Sequence, residues 1–243
     1  MIPVVIPTWS LDAPCVLESV GALIDGGKDP AEIAVAHNPE RGLPTRTTDL
    51  LRSSRVSIIE HDYAHRRTPE DFTRLQTSLL GWAMVHDTEY VLKLDSDTII
   101  RRWGHIEDAV KERRLVATPA WPGNLFVGCC SLYSKDALRV LSRVDSYNAL
   151  EGHMTNEDQA FHYVLAKVFG PEAIHNWWYR KMGGLIKGWR YTKEEFTMED
   201  YADRYDVVTF GNRKQVDGKC TGEKHEIVAK TMAEFRNVLA SQA

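Results

Sequence analysis

Cysteine is scarce in this chain. Four occur in 243 residues, Cys15, Cys129, Cys130 and Cys220, and none has the paired spacing of a metal-binding motif. Adjacent Cys129 and Cys130 lie in an apolar run, where they read as small packed hydrophobes, and a reducing compartment is expected. Long hydrophobic runs are also missing: no stretch approaches the roughly 18 apolar residues of a membrane span. The start, Met1-Ile2-Pro3-Val4-Val5-Ile6-Pro7, has no basic segment of a targeting signal. A soluble, unprocessed, cytoplasmic chain is the expectation. Charge of one sign is absent too, with 30 Lys and Arg against 34 Asp and Glu, a formal net charge of -4. That removes any global basic field for nucleic acid, so such a partner would need a local patch. Internal repeats and low-complexity tracts are absent.

What is present reads as a single α/β domain. A hydrophobic content of 43% over this length supports one large core. Val4 to Pro7 reads as a first strand, followed by a helix capped by Ser10 with Val16, Leu17, Val20, Leu23 and Ile24 at helical spacing, ended by Gly26-Gly27. Glu32 to Ala36 and Val56 to Ile59 read as further strands, separated by a polar loop from Glu40 to Arg55. Thr68, Pro69 and Asp71 open a helix with Phe72, Leu75, Leu79 and Ala83 on one face. Leu125 to Tyr133 reads as a strand, and Ser134 caps a helix holding Ala137, Leu138 and Leu141. The strands are too apolar to be one-sided, which predicts a mostly parallel sheet covered by helices.

The segment Tyr-Val-Leu-Lys-Leu-Asp-Ser-Asp-Thr-Ile-Ile, residues 90 to 100, is a buried-strand pattern that delivers Asp95 and Asp97 at its C-terminal end. Sheets of this kind bind ligands there. Paired carboxylates suit Mg or Mn, and through the metal a phosphate. A second acidic cluster, Thr155-Asn156-Glu157-Asp158, opens a helix whose Ala160, Phe161, Val164, Leu165 and Val168 mark a buried face. In the first turn the helix dipole favours an ionised carboxylate by roughly 0.3 to 1 kcal/mol, which suits a general base. A capping box from Thr155 to Asp158 accounts equally for an acid at this place. Glu157 is the alternative base.

The Val-Val-Ile-Pro-Thr start, the strand ending in Asp-Ser-Asp, the Gly128-containing strand followed by a helix, and Asn-Glu-Asp-Gln-Ala-Phe together resemble the GT-A fold of nucleotide-sugar glycosyltransferases. The resemblance runs from about Pro3 to Phe169. It implies a Rossmann-like sheet with residues 1 to 100 as the nucleotide-sugar half and 101 to 243 as the acceptor half. It also implies that Asp95 meets the ribose or the metal, that Asp97 ligates Mn or Mg on the diphosphate of a UDP-sugar, and that Asp158 is the base of an inverting hexosyl transfer. His225 is the implied third metal ligand; the other reading is a solvated residue ahead of a helix. Thr8, Trp9 and Asn38 follow the first two strands, where such folds hold uridine. Many relatives have Asp near Asn38. Arg74 and Gln76 point from the helix before the Asp95 strand; Arg74, for which a solvated helix face is the other reading, Lys93 and Asp95 complete the expected donor contacts.

Two neighbouring enzyme classes fit less well. Phosphatases of the haloacid dehalogenase type place their Asp-x-Asp strand first, whereas three strands precede it here. Nucleotidyltransferases carry a Gly-rich basic loop near the N-terminus, and Thr8-Trp9-Ser10-Leu11-Asp12 is not one. A non-catalytic metal-dependent binding module is the alternative outside enzymes.

For the acceptor, residues 175 to 193 concentrate basic and aromatic side chains, among them Trp178, Arg180, Lys181 and Lys187. Such a segment suits phosphates and unstacked bases. Compact glycosyltransferases without an anchor resemble viral and bacteriophage enzymes that glucosylate hydroxymethylated DNA bases, in which case the compartment is the host cytoplasm. A 5-hydroxymethylpyrimidine in DNA is therefore the expected acceptor, with a surface glycan or lipopolysaccharide as the alternative. The last helix, with Val228, Met232, Phe235 and Leu239 on one face, is expected to pack on the domain.

Overall fold

A computed structural model describes residues 2–61, 68–121, 125–126, 128–150, 157–178, 182–184, 197–210, 215–216, 219–220 and 222–242. The main sheet is built from β1 (Val4–Thr8), β2 (Ile33–His37), β3 (Ser57–Glu60) and β4 (Tyr90–Leu94). From β4 the chain passes to β5 (Thr98–Ile100), β6 (Val116–Trp121), β7 (Leu125–Phe126), β8 (Cys130–Ser134) and β9 (Ile174–Trp178). The order across this sheet is β3-β2-β1-β4-β8-β6-β7, with β9 also on β6. Pairs among β1 to β4 are parallel, as is β6 with β9, while β8 runs antiparallel to both β4 and β6. The expected mostly parallel α/β sheet is present. β5 leaves it for a small sheet with β10 (Met182–Gly184) and β11 (Val207–Thr209).

Strand alternation sorts side chains to two faces. Val4, Ile6, Ile33, Val35, Leu92 and Leu94 face a core that includes Val16, Val20 and Leu23 of α1 (Ala13–Asp25). Val5, Ala34, Ala36 and Val91 face the other way. That side is covered by α3 (Pro69–Val85), α5 (Lys135–Leu141) and α6 (Glu157–Phe169), with α2 (Thr45–Ser53) and α4 (Gly104–Lys111) elsewhere in the chain order. Burial on both faces explains why the strands lack an alternating polar pattern. A third cluster joins Cys15 and Ala22 of α1 to Tyr201 of α7 (Met198–Arg204) and to Val228, Met232 and Phe235 of α8 (Gly222–Gln242). Here α8 comes so close to α1 that a Cβ at Gly21 would overlap the Arg236 guanidinium. Arg236 itself pairs with Glu18 and Asp25, each at 2.7 Å.

Thr68 caps α3 by accepting from Asp71 N at 3.2 Å, and Ser134 caps α5 by accepting from Ala137 N at 3.2 Å, both as expected. Other expectations are corrected. Ser10 caps no α-helix: Ser10–Asp12 form a 3-10 turn, and α1 begins at Ala13, where Pro14 suits the first turn. The polar stretch from Glu40 to Arg55 contains α2, which buries only Thr47 and Leu51 and so carries no readable apolar stripe. Tyr90 to Ile100 is two strands, split by a turn at Asp95 to Asp97 in which Thr98 N donates to Asp95 O at 3.1 Å. Leu125 to Tyr133 is likewise divided between β7 and β8. β6 had no reading because Ala, Thr and Pro119 dilute its pattern. On α6, Val168 is 53% exposed and lies off the buried face, which runs through Ala160, Phe161, Val164 and Leu165. Among the described residues no helix is long and apolar enough to cross a membrane.

Candidate active site

The C-terminal ends of β1, β2 and β4 carry the polar residues expected there. β1 ends at Thr8, which is buried, and β2 ends at His37, also buried; among the described residues neither the Thr8 hydroxyl nor His37 Nδ1 has a hydrogen-bond partner. Unsatisfied polar atoms at this depth are costly, and a ligand is one way to satisfy them. Asn38 follows, but its Oδ1 accepts from Glu40 N at 2.8 Å and holds a local 3-10 turn. Trp9 has two side chains against its ring. The Arg41 guanidinium is over its ring at 5.9 Å, and the His225 ring meets its edge at 6.2 Å between centroids. Neither His37 nor Arg41 was singled out in the sequence, although a histidine closing the run Ile-Ala-Val-Ala was a signal.

The β4 terminus is anchored by its own neighbours. Asp95 N donates to Cys129 O at 2.8 Å, and Asp97 O accepts from Phe210 N at 2.8 Å. The Asp95 side chain is 40% exposed, open to a ligand, while Asp97 is buried at 7%. Both cysteines beside them are buried in the hydrophobic core, as expected.

Lys93 alternates to the same face as Val91, toward α6. It is buried, and its Nζ lies 2.7 Å from Asp95 Oδ1 and 3.6 Å from Glu157 Oε1, and donates to Gly128 O at 2.8 Å. Burial works to lower its pKa, but Asp95, Glu157 and Asp158 outweigh it and hold the ammonium well above the usual lysine range. The same residue, Gly128, donates its N–H to Asp158 Oδ2 at 3.0 Å. A Cβ at position 128 would overlap the Asp158 carboxylate, so glycine is required by this close approach.

Asp158 stands in the first turn of α6, as expected, yet its carboxyl is pushed up to about 7. Desolvation is the main cause, opposed by Lys93 and reinforced by Glu157 and Asp95. The expected dipole preference for the ionised form is therefore outweighed by burial. A carboxyl poised near neutrality is able to take up a proton there.

His225 is neither solvated nor ahead of a helix. It lies within α8, wholly buried, with Nδ1 2.9 Å from Asp12 Oδ1 and Nε2 without a hydrogen-bond partner. Two carboxylates and an imidazole with an orphaned nitrogen match the donor preferences of a divalent cation. Among the described residues, however, no three His, Cys, Asp or Glu side chains already form a group able to hold a metal. Asp95, Asp97 and His225 are thus not brought together as a finished cage.

The remaining site residues are dispersed. Arg74 is exposed on α3, whereas Gln76 is wholly buried, with both amide atoms unpartnered among the described residues. Trp178 closes β9, where its backbone pairs with Ala120. Arg180, Lys181 and Lys187 lie outside the described residues, as does Thr155 of the expected capping box.

No protein-family model matches the chain. Nor does any curated protein sequence match it. Solved structures do. The galactosyltransferase LgtC, in complex with donor and acceptor sugar analogues, is 14% identical, with a TM-score of 0.57 over 98% of this chain and 100% of that one. A glycosyltransferase involved in glycosylation of the major capsid of PBCV-1 is 10% identical, with a TM-score of 0.54 over 94% and 98%. Mouse xyloside xylosyltransferase 1 is 11% identical, with a TM-score of 0.52 over 88% and 99%. The shared feature is the fold, of the GT-A type expected from the sequence.

Proposed function

We propose that this chain is a metal-dependent, inverting glycosyltransferase that moves a hexose from a nucleoside diphosphate sugar, UDP-linked by the family resemblance, to a hydroxyl acceptor. The observation that carries this reading is the pairing of the Asp95 and Asp97 carboxylates at the end of β4 with a separate carboxyl, Asp158, whose pKa of about 7 lets it exchange a proton near neutrality. Its fold neighbours are named as glycosyltransferases, which supports the same reaction class.

Asp95, Asp97 and His225 are the residues that would hold Mn or Mg. When bound, the cation supplies positive charge to the departing diphosphate. Thr8, Trp9, His37 and Asn38 would receive the nucleoside at the ends of β1 and β2. Asp158 accepts the proton of the acceptor hydroxyl as its oxygen bonds to the anomeric carbon. The bond from that carbon to the diphosphate oxygen breaks, and its electron pair leaves with the nucleoside diphosphate. The Gly128 N–H keeps Asp158 aimed, and the Lys93 ammonium offsets the negative charge gathered around it. Glu157, 3.6 Å from Lys93, is the second candidate for the base.

Two acceptors follow from different observations. The neighbours' names mention acceptor sugar analogues and a xyloside, which favours a sugar hydroxyl. The basic and aromatic residues of the segment 175 to 193 favour a hydroxymethylated base in DNA. The deciding experiment incubates the enzyme and Mn with labelled UDP-hexoses and, in parallel, a glycan panel and hydroxymethylated duplex DNA, with product linkage read by NMR. Labelled product with inverted anomeric configuration supports the reading. Transfer to sugars alone removes the DNA acceptor, and a retained configuration removes Asp158 as base.

A further inference from the structure

Lysine is seldom fully buried, and the burial of Lys93 asks for more than the charge balance already given to it. The family resemblance suggests a donor contact for it. Its surroundings point elsewhere, because the ammonium is spent on three protein groups: Asp95 at 2.7 Å, the Gly128 carbonyl at 2.8 Å and Glu157 at 3.6 Å.

Gly128 is gripped at both ends of its backbone. Its carbonyl accepts from Lys93 and its N–H donates to Asp158 at 3.0 Å. No side chain fits at this position without meeting the Asp158 carboxylate, so it is the backbone groups of residue 128 that meet Asp158 and Lys93. Next along the chain, Cys129 O accepts from Asp95 N at 2.8 Å. The β8 entrance therefore ties the carboxylate at the end of β4 to the one at the start of α6, with the lysine at the centre.

We infer that Lys93 is a positioning residue: it fixes the Gly128 backbone and holds Asp95 and Glu157 together, so that Asp158 and Asp95 keep a set separation. This rests on Asp158 being the base, and it replaces the expectation that Lys93 touches the donor. Removing the ammonium leaves Asp95 and Glu157 as unbalanced neighbours and frees the Gly128 carbonyl, a loss larger than that of a single surface pair. The charge and the hydrogen bond are both needed, so arginine is the conservative replacement.

The test is amide hydrogen exchange of Gly128, followed by NMR in the whole protein, with transfer kinetics alongside. In Lys93→Met the Gly128 amide is expected to exchange about tenfold faster or more while amides of β1 and β2 keep their rates, as local opening rather than global loss of stability requires. Turnover should drop on the order of 100-fold, the scale of a small misplacement of a catalytic group. Lys93→Arg should restore much of both. If Lys93→Met does not fold, Lys93→Gln is read by the same criteria. An unchanged Gly128 rate, or a rise shared equally by all amides, overturns the inference. A separate Asp158→Asn enzyme with undiminished transfer would remove the base assignment, while the Gly128 exchange result would still decide what Lys93 does.

Discussion

The carboxylate of Asp158 and the backbone N–H of Gly128 lie 3.0 Å apart, with no room for a side chain on residue 128. Gly128→Ala must therefore displace Asp158. Transfer is expected to drop on the order of 100-fold, since displacement of about 1 Å is enough for such a loss. Donor binding, measured by calorimetry with UDP and Mn, should stay near the wild-type value. Equal losses in both would mean that the alanine disturbs the donor site rather than the base.

The pH dependence follows from the raised Asp158 pKa. The carboxyl must be ionised to accept a proton, so turnover should decline as pH drops through about 7, or somewhat lower when the cation is bound. Stability runs the opposite way. The unfolded carboxyl titrates near 4. The protonated group favours the folded state fully below that pH, and this contribution is lost as pH rises through about 7. Asp158→Asn should therefore gain in Tm over wild type between pH 5 and pH 8, measured in chelator. A gap that shrinks with rising pH contradicts the assignment.

His225 has an orphaned Nε2 in a wholly buried setting. His225→Gln, a polar replacement, is expected to weaken Mn binding by at least the roughly 10- to 100-fold that even outer partners of a metal site contribute. Calorimetric titration with Mn checks this. Unchanged affinity in a folded variant would confine His225 to its contacts with Asp12 and Trp9.

The docking of α8 on α1 has a separate test. Phe235 is wholly buried against Phe210 at 5.8 Å between ring centroids. Phe235→Ala should cost about 3 to 5 kcal/mol, read as the shift of a denaturant midpoint. Loss of a few tenths only would show that α8 is a loosely held element.

Much of this architecture could be read where residues act locally. Thr68, Pro69 and Asp71 announce α3 because capping involves near neighbours in sequence. The β4 run and its two aspartates were legible because a covered strand is continuously apolar. What escaped depends on distant partners. The lysine within β4 depends on Gly128, 35 positions away, and on Glu157 of α6 as well as on nearby Asp95, so its inward burial could not be seen beforehand. The antiparallel insertion of β8 beside β4 leaves no mark in either strand, and α2 is too polar to show a buried stripe. His225 looked like a capping residue because its burial comes from packing against Trp9, at the opposite end of the chain.

Donor turnover is the most direct test of the central claim. Release of UDP from UDP-hexoses, with acceptor present, is compared in Mn and in chelator for the wild type and for folded Asp97→Ala. The account predicts turnover by wild type in Mn and none in chelator, with Asp97→Ala inactive in both. Equal turnover with and without the metal, or an Asp97→Ala enzyme as active as wild type, would contradict it.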